Sequence, residues 1–139
     1  MRGKNRESGV SAIEFVLLTP LLFFLLFATV QFALYFFARH VAIAAAQEGD
    51  RVARAEAGNP GRDWSGDAKT SASGWITQLA PNLLNGSLVT TDAAGHSGQE
   101  GWTVSVQVTA TVPSLFPWAN LTVSETSTGP VEQFIPDTP

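Results

Sequence analysis

Apolar side chains fill the chain almost without interruption from Phe15 to Ala38. The only polar groups in that run are Thr19, Thr29, Gln31 and the phenol of Tyr35, and Pro20 is the one backbone breaker. A helix needs about 20 apolar residues to cross a ~30 Å hydrocarbon layer, whereas the apolar part of a secretory signal has only about 7–15. The pattern therefore predicts a retained membrane span over about 15–38. Helix-forming sequence continues beyond it through an alanine-rich stretch, "RHVAIAAAQEGDRVARAEAG", until Gly58 and Pro60 supply a stop. A single helix from about Ser11 to Ala57 is expected, with its second half outside the lipid.

The remainder reads differently. "NPGRDWSGD" is a turn, and a second helix is expected from about Gly66 to Ala80, ended by Pro81, with Trp75, Ile76 and Leu79 as its apolar stripe. In "GWTVSVQVTATVP" Trp102, Val104, Val106, Val108, Ala110 and Val112 alternate strictly with polar residues, the signature of a strand with one buried and one wet face. "GSLVTTD" before it and "NLTVSETS" after it are weaker strands, linked through "AAGHSGQE" and "SLFPWA". The expected fold is α+β: a long N-terminal transmembrane helix, then a small domain with one helix and an antiparallel sheet of about three strands. Such a sheet needs a cover, for which the Trp75 helix and the outer half of the long helix are available. The tail "GPVEQFIPDTP", with Phe134 and Ile135 between prolines, reads as an extended, mostly mobile end.

Charge adds an orientation. Arg2, Lys4 and Arg6 precede the span, opposed only by Glu7, so the positive-inside rule keeps that end cytoplasmic and the small domain outside. The net charge is −4, and all eight basic residues lie at or before Lys69, leaving no basic face in the C-terminal half for nucleic acid. The absence of cysteine removes disulfides, thiolate metal sites and cysteine nucleophiles. His40 and His96 lack ligand spacing, and neither a nucleophile elbow nor a phosphate loop occurs, so no catalytic residue, metal or cofactor is expected.

One charge stands at the entrance to the apolar run. Ser11-Ala12-Ile13-Glu14 has the spacing of a capping box, in which serine and glutamate satisfy orphan amides at a helix start. That reading leaves the short basic leader ending in Gly9 unaccounted for. Gly9 followed by Val10, with Glu14 five residues after the glycine and Phe15 opening the apolar run, resembles a type IV prepilin cleavage site. The resemblance implies that a prepilin peptidase cuts between Gly9 and Val10. Glu14 would then accept the N-terminal amine of a neighbouring subunit during assembly. Independently of that resemblance, Pro20 reads as a kink in the span, since a proline leaves a helix carbonyl without its donor.

The likeness narrows further. Ala12-Ile13-Glu14-Phe15, Thr19-Pro20, Arg39 and Gln47-Glu48-Gly49-Asp50-Arg51 together resemble the TadE-like proteins of tight-adherence pilus systems over about the first 55 residues. Gln47 stands where arginine is frequent in that family, and Asp50 where alanine is frequent. The resemblance implies a leader over 1–9, a long helix over 10–58 and an outward-facing pilin-like α+β domain over 59–139. It implies a minor pilin or pseudopilin of the bacterial cytoplasmic membrane, structural in role, whose partners are the prepilin peptidase, other pilin-like subunits, the inner-membrane assembly platform and lipid. The competing reading is a single-pass anchor presenting a small β-rich binding module and not processed at Gly9. A secreted enzyme cut near Ala44–Ala46 ranks last, for want of an active site.

Overall fold

The computed structural model describes residues 7–95 and 101–132. The elements run α1 (Glu7–Glu56), α2 (Trp64–Leu79), β1 (Asn85–Ala94), β2 (Thr103–Val112) and β3 (Leu121–Pro130), an α+β arrangement as expected. The chain divides into two compact units, Met1–Ala33 and Leu34–Pro139, with α1 passing from one into the other. The basic leader residues Arg2, Lys4 and Arg6, His96, and Phe134 with Ile135 lie outside the described residues.

In the first unit α1 is helical from Glu7 and continuous through Pro20. Ser11 is therefore inside the helix, and the capping box predicted from Ser11 and Glu14 does not mark its start in the full chain. Pro20 has no N–H to donate to the carbonyl of residue 16. Thr19 Oγ1 donates to the Phe15 carbonyl (2.6 Å) and Thr29 Oγ1 to the Leu25 carbonyl (2.8 Å), so both hydroxyls are satisfied within the helix rather than in the surroundings. This matters in an apolar medium, where an unpaired hydroxyl is costly.

The second unit is built on a sheet of order β1-β2-β3, antiparallel throughout. The alternation in β2 is realised: Val104, Val106, Val108, Ala110 and Val112 are buried, and the polar residues between them face the other side. The β1 ladder is broken between Asn85 and Leu88, whereas β3 pairs with β2 without a break from Leu121 to Pro130. The core divides along the sheet. At one end Ala38, Val41, Ala42, Ala45 and Ala46 of α1 pack with Ile76, Ala80, Leu84, Val108, Val112 and Val123. At the other, Ala53 and Ala57 pack with Ala68, Ala72, Trp102, Val104, Val106 and Val131.

The reading of α2 is corrected here. The buried face of α2 is Ala68, Ala72 and Ile76, an i, i+4, i+8 stripe, and Trp75 and Leu79 are exposed. Alanine brings the helix close to the sheet, where a tryptophan would hold it off. The helix also starts earlier than its glycine suggested, because Asp63 caps it by accepting from the Gly66 amide (3.0 Å). Of the tail, the described residues reach Glu132: Val131 N–H donates to the Trp102 carbonyl and Glu132 N–H to the Arg54 carbonyl, both at 3.0 Å. The side chain of Val131 is buried in the cluster that holds Trp102.

Candidate functional site

The N-terminal motif is carried by the first unit. Gly9 and Val10 lie in the first turn of α1, and Glu14 follows Val10 by four residues, one helical turn. Glu14 is exposed and is the only charged side chain between Ser11 and Ala38. Around it Ile13, Phe15, Val16, Leu17 and Leu18 are all exposed, as are Leu21 to Phe27 beyond Pro20. An uncovered apolar surface of this length is stable only against lipid or other helices. The helix fits a single-pass membrane anchor by length and composition.

The second part of the motif, Gln47-Glu48-Gly49-Asp50-Arg51, is in the other unit and does a different job. A Cβ on Gly49 would stand 3.0 Å from Val106 Cγ1, 3.1 Å from the Ala68 carbonyl oxygen and 3.1 Å from Ala72 Cβ. The glycine is therefore where α1, α2 and β2 meet. Glu48 lies at the edge of the same contact: Arg51 Nε and Nη2 donate to its two carboxylate oxygens at 3.0 and 2.6 Å, and Ser71 of α2 adds a longer contact of 3.4 Å. The Arg51 hydrogen bonds hold the Glu48 carboxyl below its ordinary range, against a smaller upward push from burial.

Asp50 was not singled out by sequence reasoning, except as a departure from alanine, and it proves to be buried at 3% exposure. Ser127 of β3 donates to its Oδ2 (3.1 Å), and Arg54 Nε makes an ion contact with the same oxygen at 3.3 Å without hydrogen-bond alignment. Gly129 makes room for this arrangement, since a Cβ there would collide with the Arg54 side chain. Arg39 Nε donates to Glu125 Oε1 (2.7 Å), a second tie from α1 to β3 that holds the Arg39 guanidinium above its ordinary value. The i, i+4 spacing of Asp50 and Arg54 was a visible signal; their partners on β3, some 75 residues away, were not.

A further acid pair lies at the far end of α1. The Asp67 carboxylate, facing Glu56, pushes the Glu56 carboxyl up, helped by burial, and Arg62 at 3.5 Å opposes the shift. Among the described residues no group of histidine, aspartate and glutamate is arranged to hold a metal. His40 is exposed on α1.

These features define a class: an α+β protein in which one helix supplies an exposed apolar N-terminal segment, long enough to span a membrane, and then the spine of a small sheet domain. Residues 9–51 match the family model for TadE-like protein, so the resemblance read from the motif holds over that segment, from the glycine of the leader to the arginine of the Glu-Gly-x-Arg run. The family implies a pilin-like protein associated with the tight-adherence pilus. No curated protein and no solved structure matches the chain. The sheet, α2 and β3 lie outside the matched segment, although Gly49, Asp50 and Arg39 within it contact them.

Proposed function

We propose that this chain is a minor pilin or pseudopilin of a tight-adherence type IV pilus or a related secretion machine, structural in role and processed between Gly9 and Val10. It is held in the bacterial cytoplasmic membrane with its N-terminus cytoplasmic and its sheet domain outside. Its partners are the prepilin peptidase, other pilin-like subunits and the inner-membrane assembly platform. The observation that carries this reading is the exposed Glu14, the single charge of the apolar segment, placed five residues after Gly9.

The chemistry gives Glu14 its reason. A charge held deep in the hydrocarbon costs about 2.5–3.5 kcal/mol on insertion scales, and less near the interface. Cutting after Gly9 creates an α-amino group one turn before Glu14 and of opposite sign. In an assembly of parallel helices the amine of one subunit meets the glutamate of the next only at one axial offset, so the pair selects register. Removal of the leader would also make Val10 the first helical residue, with Ser11 in the first turn and Glu14 one turn in, close to the positive end of the helix dipole.

The test is the N-terminus of the membrane-associated protein, determined by intact and peptide mass spectrometry from its native host. A start at Val10 supports the proposal. A start at Met1 replaces it with an unprocessed single-pass anchor presenting a small binding module.

A further inference from the structure

We infer that the β2–β3 turn, residues 114–120, is a second lipid contact: an interfacial foot by which the sheet unit touches a bilayer surface. This rests on α1 being a membrane span, and is independent of processing and assembly.

The turn reads Ser-Leu-Phe-Pro-Trp-Ala-Asn, and no charged residue occurs between Glu100 and Glu125. Trp118 is 80% exposed and Leu115 47%, the former the most exposed large apolar side chain described. Their presentation is fixed. Ser114 Oγ accepts from the Phe116 amide (3.1 Å) and lies 3.0 Å from the Phe116 carbonyl, which also accepts from the Ala119 amide (3.0 Å). The Phe116 and Trp118 rings touch, with centroids 5.5 Å apart. An ordered turn that holds aromatic side chains outward keeps apolar area in water unless something covers it.

Position identifies the cover. Val112 and Val123, at the two feet of the turn, share a core cluster with Ala38, Val41 and Ala42, and Tyr35 and Leu121 pack against that cluster. The opposite end of the sheet, at Trp102, Val104 and Val131, packs on Ala53 and Ala57. Within this unit the turn is therefore at the end where the chain arrives from its apolar run. A charge-free turn that presents tryptophan and leucine is what a bilayer surface selects, with tryptophan at headgroup depth. Glu125, the nearest acid along β3, is paired with Arg39 at 2.7 Å, so it does not repel anionic headgroups. A neighbouring protein is a poorer occupant, because four apolar residues fall far short of the roughly 1,000 Å² that a stable protein interface buries.

The test uses the full chain in vesicles of phosphatidylcholine and phosphatidylglycerol, plain or brominated at the upper acyl carbons, with tryptophan emission as the readout. Brominated lipid should quench a component of the wild-type emission that is lost in Trp118→Phe, and Leu115→Ser should shrink that component with Trp118 still present. Unchanged near-ultraviolet circular dichroism shows that both variants are folded. Equal emission in the two lipids, or quenching identical in Trp118→Phe, overturns the inference while vesicle flotation still shows an embedded chain. Trp118 emission that shifts with protein dilution and ignores bromine overturns it in favour of a second copy. Failure to float refutes the span on which it rests.

Discussion

Two helical glycines should respond to alanine with opposite signs, and the contrast measures how tightly α1, α2 and β2 meet. Replacing glycine by alanine inside a helix gains about 1 kcal/mol from propensity alone. At Gly74 of α2 nothing lies within 4 Å of the added Cβ, so Gly74→Ala should show that full gain. At Gly49 the Cβ meets Val106 Cγ1 at 3.0 Å, and the Ala68 oxygen and Ala72 Cβ at 3.1 Å. Two of these three neighbours are parts of regular backbone or a stub with no freedom to move. Overpacking of this kind costs about 1–3 kcal/mol, so Gly49→Ala should be destabilising by about 0–2 kcal/mol net. For a unit of this size 1 kcal/mol moves the thermal midpoint by about 4–8 °C. The assay is thermal unfolding of the full chain in detergent, followed by the near-ultraviolet signal of the core tryptophan, Trp102. Val106→Ala removes one of the opposing atoms, so the double variant should lose about 0.5–1.5 kcal/mol less than the sum of the singles. A midpoint that rises for Gly49→Ala as it does for Gly74→Ala would refute the reasoning.

Other outcomes are specified by the same contacts. Gly9→Leu should leave the full-length chain in the membrane, whereas Glu14→Ala should be cut but fail to support pilus formation; normal piliation of Glu14→Ala, scored by electron microscopy, sinks the amine-pairing idea. Arg54→Met leaves Asp50 buried with only Ser127 as a partner and should destabilise the unit by about 2 kcal/mol in chemical denaturation, with much of the loss recovered by adding Asp50→Asn. Because Arg51 lowers the folded-state value of Glu48, the resulting stability is present above the unfolded carboxyl's range and fades as pH falls through the folded value. Glu56 has the opposite sign: its raised value favours the folded state at low pH, and that contribution is lost as pH rises through the folded value. Midpoints measured across the acid range should therefore flatten at the low end in Arg51→Gln, and Glu56→Gln should improve relative stability toward neutral pH.

The strongest periodic signals in the sequence translated directly into structure. Strict alternation placed β2, and the unbroken apolar run placed the first half of α1, because each pattern has only one regular conformation that segregates it. The face of α2 was misread for a physical reason: Trp75 and Leu79 carry more hydrophobic weight than alanine, but close helix–sheet approach rewards small side chains, and Ala68 and Ala72 took the contact. The docking of Val131 and Glu132 was hidden because it rests on backbone hydrogen bonds to Trp102 and Arg54, which leave no mark on composition. Asp50 was legible as an i, i+4 partner of Arg54, whereas its seat beneath Ser127 and Gly129 depends on a strand pairing that only the folded chain brings about.

The core of the sheet unit has a thermodynamic consequence of its own. It is made almost wholly of alanine and valine, and its largest fully buried side chains are Val104, Val106, Val108, Val112 and Val123. Alanine has no rotamers to lose and valine is held by its branched β-carbon in few, so ordering this interior forfeits little side-chain entropy. A small unit with modest apolar area can then fold without long side chains to anchor it.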